Sequence, residues 1–170
     1  MRKLMMVCSA LVMVAGAATA GELPKEGKVS GTYYGSGTYQ FTGLGKGGKD
    51  GGISAYSASG YTVGSQLIDH VTWHCVGAAR VINNNITARG SCVGTDPSGD
   101  QIMEDVENTA ETPLDAGERP GRLIIIGGTG KYAGITGSYD MIEHVGGFKE
   151  PAERTFVETA DLLNGSYKLP

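Results

Sequence analysis

The sequence predicts an all-β domain that closes into a single antiparallel barrel of about eight strands, with a β-sandwich as the alternative. Short stretches rich in Val, Ile, Thr, Tyr and Phe recur between turn signals along the chain. No window of about 12 residues carries the apolar stripe of an amphipathic helix. Glycine supplies 28 of 170 residues, against a typical share of about 7%. The glycines favour the barrel, because barrel strands bend sharply at interior glycines.

The predicted strands follow one another with short breaks. They are expected over residues 27–34, 37–44, 53–61, 66–81, 86–93, 101–107, 121–127, 137–143 and 153–162, with a short last piece over 165–169. This many antiparallel strands must close or stack, because an open sheet exposes long edges. The strand over 122–126 is apolar on both faces, which predicts that both faces are covered. The acidic segment 109–118, which contains Pro113, predicts a mobile surface loop.

The first 20 residues have the order of a secretory signal peptide. A charged start at residues 2–3 precedes a mostly apolar run over 4–15, and Ala18–Ala20 supplies small residues for cleavage after Ala20. The apolar run is shorter than the ~20 residues of a membrane span. The sequence therefore predicts a signal peptide over 1–20 and one barrel domain over 21–170, in a secreted or periplasmic protein.

The charge balance argues against nucleic acid and anionic membrane surfaces as partners. The formal net charge is −4 at pH 7, from 14 basic and 18 acidic residues. Loss of the two basic residues of the signal would leave 12 basic residues and a net charge of −6. An acidic chain lacks the cations that neutralise phosphates. We expect no nucleic acid and no membrane span, and the oligomeric state stays open.

Two of the three cysteines are predicted to form a disulfide. Cys8 lies within the signal's apolar run, which leaves Cys75 and Cys92 as an even pair in an oxidising compartment. Between them, Asn83–Asn84 separates two β-branched stretches, and asparagine tolerates the positive φ of a tight hairpin turn. A two-residue turn there places Cys75 directly across from Cys92. A three-residue turn would shift the register by one, and two buried free thiols are the alternative.

The segment Gly127–Gly137 contains the sharpest motif of the chain. Gly128, Gly130 and Ala133 superficially match the glycine-rich turn of dinucleotide-binding proteins. That chemistry needs a helix after the turn, so that the helix N-terminus faces the pyrophosphate. Here further glycines and the β-branched Ile135–Thr136 follow instead. We therefore expect no nucleotide, and the sequence predicts no other cofactor.

The same segment resembles the turn that precedes a late strand in allene oxide cyclase-like and dirigent-like barrels. Small secreted bacterial proteins carry similar stretches, and in the barrels this piece forms a short helical turn between two strands. The resemblance implies an eight-stranded barrel with a mostly apolar cavity. It also implies a structural role for Gly127, Gly128, Gly130 and Gly134. It carries no activity, because the catalytic residues of the plant enzymes match no positions here.

Four residues are candidate catalytic groups: His70, His74, Glu143 and Glu158. On a helix, the spacing of the two histidines would bring both imidazoles to one metal ion. In a strand the same spacing separates them by roughly 13 Å, so no metal site is predicted. The two glutamates lie on different predicted strands. If they converge inside the barrel, the pair could perform acid–base chemistry.

The barrel interior is predicted to hold a small apolar molecule. An eight-stranded barrel is near the size at which side chains either fill the interior or leave room for one ligand. The residues expected to face this space are Val71, Trp73, Ile124, Ile126, Phe156 and Leu162. One hypothesis is a ligand-binding or structural module without catalysis. The alternative is an isomerase or cyclase that acts on a small apolar substrate inside the barrel.

Overall fold

The computed structural model describes residues 23–46, 50–146 and 155–170. The strands are β1 (Glu26–Gly43), β2 (Gly52–Gly64), β3 (Thr72–Ile82), β4 (Asn85–Thr95), β5 (Gln101–Asn108), β6 (Thr112–Pro113), β7 (Glu118–Gly128), β8 (Thr136–Gly146) and β9 (Thr155–Lys168). The eight long strands are antiparallel neighbours in the order β3-β2-β1-β9-β8-β7-β5-β4, and pairing of β3 with β4 closes the ring. The short β6 lies outside the ring against β4.

This closed barrel confirms the predicted fold class. The predicted signal peptide over residues 1–20 lies outside the described residues. Among the residues that the structure describes, no helix has the length and apolar character needed to cross a bilayer.

Several strand boundaries differ from the predicted ones. β1 joins the first two predicted strands, and β9 joins the last two. Gly35 lies within β1 and does not mark its end. A side chain at this position would overlap the Tyr33 hydroxyl, so the glycine makes room for the tyrosine ring. The strand predicted over 66–81 begins only at Thr72, since residues 66–70 form turns in which His70 has a φ of 57°.

Strand β7 shows which face of the barrel is packed. Leu123 and Ile125 are 8% and 3% exposed and point inward, whereas Ile124 and Ile126 are 40% and 48% exposed and point outward. The prediction that these two isoleucines face the core, on a strand covered on both sides, is wrong. Alternation along a strand sends neighbouring side chains to opposite faces, and here the core occupies only the inner face.

The hairpin between β3 and β4 has the predicted turn and register. Asn83 and Asn84 adopt positive φ values of 51° and 62°. The resulting two-residue turn pairs Cys75 with Cys92, and the two cysteines form a disulfide. The prediction is confirmed, and the register of a three-residue turn and the free thiols are excluded. Cys92 is 5% exposed, so the bridge forms part of the barrel interior.

The glycine-rich turn lies between β7 and β8. A single 3₁₀ turn spans Gly130–Tyr132, and the Tyr132 side chain is buried. Gly130 and Gly134 have φ values of 51° and 74°, which favour glycine. Gly128 is needed for space, because a Cβ there would lie 2.5 Å from the Tyr132 Cβ. Gly127 has open space where a Cβ would stand, so only three of the four glycines are structurally constrained.

Candidate functional site

A cavity of about 80 Å³ lies inside the barrel. This volume exceeds the ~10–15 Å³ that one water molecule needs. Most of the wall is apolar or aromatic, including Tyr56, Trp73, Val106, Leu123, Met141 and Leu162. Three carboxyl side chains also line it, those of Glu104, Glu143 and Glu158. The interior therefore combines an apolar surface with a few polar groups, which is typical of small-molecule sites.

The structure distributes the six residues predicted for the cavity over three places. Trp73 and Leu162 line the cavity. Val71 is buried in the main core cluster, and Phe156 is buried in a second cluster with Tyr39. The two isoleucines of β7 lie on the outer surface, as described above.

Trp73 is fixed in the cavity wall by a hydrogen bond. Its indole Nε1 donates to Thr62 Oγ1 at 3.0 Å, and the Thr62 hydroxyl donates to the carbonyl oxygen of Ile68. Trp73 is 4% exposed, and it is the single tryptophan of the sequence. Its fluorescence therefore reports on the cavity alone.

Strands β8 and β9 bring Glu143 and Glu158 together. In the register of these strands, Glu143 pairs with Ala160 and Val145 pairs with Glu158. The two glutamates are therefore diagonal neighbours on the inner face, and their carboxyl groups share a hydrogen bond. Arg119 of β7 is the direct cross-strand partner of Glu143 and is 4% exposed. Two carboxyl groups and one guanidinium thus meet inside the barrel.

Burial is the main cause of the altered acidity of this pair. It raises the pKa of Glu158 to about 8, and the charge of Glu143 adds to the increase, against the opposing effects of Tyr33 and Arg119. Burial also raises the pKa of Glu143, while the positive charge of Arg119 acts in the opposite direction. Two negative charges in one buried site are costly. The pair therefore retains a proton at neutral pH and titrates as one unit.

Tyr33 and Tyr56 frame the carboxyl pair, and glycines make room for both rings. A Cβ at Gly60 would lie 2.5 Å from the Tyr33 ring, and one at Gly77 would overlap the Tyr56 ring. The Tyr33 hydroxyl is buried and has no hydrogen bond of standard geometry to any described residue. Burial and then the charges of the two glutamates raise the pKa of both phenols. Both hydroxyls therefore remain protonated and can donate.

Glu104 is a functional candidate that the sequence analysis did not single out. It is 0% exposed, and its Oε2 accepts a hydrogen bond from the Tyr139 hydroxyl at 2.6 Å. Its Oε1 has no hydrogen-bond partner among the described residues. Burial raises the pKa of Glu104 to about 8, although the hydrogen bond from Tyr139 acts to lower it. The sequence signal was its place between Ile102 and Val106, two positions that share its strand face.

The histidine candidates lie on the outer surface, away from the carboxyl pair. His70 Nδ1 lies 2.9 Å from the Asp69 carboxylate, and His74 Nδ1 lies 2.9 Å from the Ser59 hydroxyl. Both imidazoles are exposed, so neither joins Glu143 and Glu158. Within residues 23–46, 50–146 and 155–170, no cluster of three or more His, Cys, Asp or Glu side chains could hold a metal ion.

A second buried carboxylate, Asp96, lies beside the glycine-rich turn and has a full set of donors. Its Oδ1 accepts hydrogen bonds from Ser98 N at 2.8 Å, Ser98 Oγ at 2.7 Å and Asp100 N at 3.0 Å. Its Oδ2 forms an ion pair with Lys131. Burial opposes the charge, but these hydrogen bonds and the lysine charge prevail and lower the pKa of Asp96 to about 2. Asp96 is a structural anion.

Comparison with known proteins finds no matching family model and no matching curated protein. Among solved structures, the chain is similar to pyocyanin demethylase, with 22% sequence identity and a TM-score of 0.44. The match covers 79% of this chain and 98% of that chain. A likeness at this level carries no argument about function.

Proposed function

We propose that this protein is an exported barrel that binds a small, mainly apolar molecule in its cavity. The observation that supports the proposal is the apolar and aromatic wall around the cavity in a closed barrel. Each Å² of apolar ligand surface removed from water contributes about 25 cal/mol. Export rests on the signal-like residues 1–20. The proposed relationship to allene oxide cyclase-like and dirigent-like barrels rests on the Gly127–Gly137 segment.

Binding can be tested with the neutral dye N-phenyl-1-naphthylamine, whose emission rises in apolar surroundings. We expect saturable binding to one site, with quenching of Trp73. Ala160→Leu adds three carbon atoms to the cavity wall and is expected to abolish binding in a protein that still unfolds cooperatively. Ile124→Leu, on the outer surface, is the matched control and should bind as the parent does. If the parent binds neither the dye nor benzene, which better matches a cavity of about 80 Å³, the barrel is a structural module.

A second function, acid–base isomerisation or cyclisation of a bound apolar substrate, is favoured by one specific observation. Glu143 and Glu158 are diagonal neighbours in the cavity wall, and burial raises the pKa of Glu158 to about 8. General acids and bases work best when their pKa lies near the operating pH. Glu158 would donate a proton to the substrate, and Glu143 would accept a proton from it. Tyr33 and Tyr56 would orient the substrate.

The isomerase hypothesis can be tested with 3-cyclohexen-1-one, whose rearrangement to the conjugated ketone is followed by ultraviolet absorbance. We expect Glu158→Gln and Glu143→Gln each to lower the rate by about 100-fold or more. The exposed Asp161→Asn on the same strand should leave it unchanged. A parent rate equal to that of a carboxylate buffer would contradict proton transfer on this substrate and leave binding alone.

A further inference from the structure

Packing alone does not explain why a glutamate occupies the buried position 104. It occupies an inward position of β5 between two apolar residues, opposite Cys92 on β4 and Ile125 on β7. A leucine would fill such a position without burying a polar group. A buried oxygen atom without a partner costs about 1–3 kcal/mol. Asp96 shows that this chain elsewhere surrounds a buried carboxylate with donors.

The contacts of Glu104 determine which hydrogen bond its free oxygen can form. The Tyr139 hydroxyl donates to Oε2, so that oxygen acts as the carbonyl oxygen of the acid. Burial raises the pKa of Glu104 to about 8, and its cross-strand partners Cys92 and Ile125 bring no charge to it. Tyr139 of β8 is the titratable group that contacts it. At neutral pH the proton of Glu104 is therefore on Oε1, which has no acceptor among the described residues.

We propose that Glu104, held in place by Tyr139, is a ligand-binding residue that donates a hydrogen bond to an acceptor atom of the bound molecule. The inference rests on the proposed binding function and narrows the ligand class. The ligand is a small, mainly apolar molecule that carries a hydrogen-bond acceptor, such as a carbonyl oxygen or an uncharged ring nitrogen. Its apolar part contacts the aromatic and aliphatic wall, and its acceptor atom reaches Oε1 of Glu104.

Two nearly isosteric probes test this inference. Naphthalene is a pure hydrocarbon, and quinoline replaces one of its CH groups by a nitrogen that accepts a hydrogen bond. Competition against N-phenyl-1-naphthylamine at pH 6.5 gives the ratio of the naphthalene Kd to the quinoline Kd. We expect Glu104→Leu to lower this ratio about fivefold, the value of one hydrogen bond. Val106→Ala, at the next inward position of β5, is the control and should weaken both probes while leaving the ratio unchanged.

The pH dependence of the same Kd ratio provides a second test, which applies even if Glu104→Leu does not fold. Above pH 8 Glu104 of the parent ionises and loses its donor, so the ratio should fall between pH 6.5 and pH 9.5. Glu104→Gln keeps an N–H donor at every pH and should hold the ratio constant, although Glu143 and Glu158 still titrate. Binding of both probes with a ratio that responds neither to Glu104→Leu nor to pH overturns this inference alone. No binding of the dye, of either probe or of the smaller benzene overturns the proposed function itself.

Discussion

Two buried carboxyl sites in this barrel have opposite acidity. Asp96, beside the glycine-rich turn, accepts three hydrogen bonds on Oδ1 and pairs with Lys131, and its pKa falls to about 2. Glu104 and Glu158, in the cavity, have few donors, and burial raises the pKa of each to about 8. Burial acts in the same direction at both sites. The hydrogen-bond donors and the positive charge beside the carboxyl group therefore decide which protonation state the fold stabilises.

The Asp96 site stabilises the fold, whereas the carboxyl groups in the cavity lower the free energy of unfolding. A buried anion with donors on both oxygens and a cationic partner holds its loop in place. Buried carboxyl groups with unfilled hydrogen-bonding capacity destabilise a domain whose net stability is only about 5–15 kcal/mol. Local violations of packing rules are expected at functional sites. This contrast supports a binding role for the cavity and a structural role for the turn.

A large effect is expected from the loss of the Asp96 anion. Asp96→Asn removes the partner of Lys131 and should lower the free energy of unfolding by about 3 kcal/mol at pH 7. The folded pKa of Asp96 is about 2, below the ordinary value of 3.8, so its contribution is present above pH 4 and lost as the pH falls towards 2. Urea unfolding of parent and variant at pH 7 and pH 2.5 measures both effects.

The control for that change is Asp105→Asn on β5. Asp105 is exposed and accepts one hydrogen bond, from Ser91, so its loss should cost about 0.5 kcal/mol or less. Equal effects of the two substitutions would remove the distinction between the satisfied anion and an ordinary surface carboxylate.

A smaller effect is expected from the backbone of the turn that carries Lys131. Gly130→Val should destabilise by about 2 kcal/mol, because φ is positive and a Cβ would overlap the Asp100 carboxylate. Gly127→Val is the matched control, since Gly127 has open space around the Cβ position. Thermal unfolding of the two variants measures the difference. If both melt with the parent, the turn is not strained and the resemblance to allene oxide cyclase-like and dirigent-like barrels loses its main support.

An effect of opposite sign is expected in the cavity. The folded pKa of Glu158, about 8, lies above its ordinary value of 4.5. The folded state therefore holds the proton more tightly, and stability from this group falls as the pH rises from about 4.5 to about 8. Glu158→Gln cannot ionise, so its stability relative to the parent should rise by several kcal/mol between pH 5 and pH 9. The exposed Asp161→Asn should show no such gain in urea unfolding at pH 5 and pH 9.

The sequence predicted the fold and the hairpin because both depend on local signals. Asparagines that tolerate positive φ determined the turn, and the turn determined the register that joins Cys75 to Cys92. The long β1 was split in two in the prediction because Gly35 resembled a break. Its role is to accommodate the Tyr33 ring, which depends on a contact within the barrel and leaves no local signal.

The candidate site was only partly predictable. Glu143 and Glu158 stood out as acidic residues on apolar strands, but their proximity depends on the pairing of β8 with β9. Ile124 and Ile126 were assigned to the wrong face because the run Leu123–Ile126 is apolar throughout, so alternation within it could not indicate the inner side. Glu104 could have been noticed as an acidic residue on the apolar face of Ile102 and Val106, but its unpartnered oxygen atom depends on the packing around it.

Carboxyl carbon NMR tests the contrast between the two sites most directly. The side-chain carboxyl carbons of Asp96, Glu104 and Glu158 are assigned and followed from pH 2 to pH 10 in the folded protein. We expect Asp96 to titrate near pH 2, and both glutamates to change shift near pH 8. Titration of all three groups between about pH 3.5 and pH 5, the range of ordinary carboxyl groups, would contradict the account.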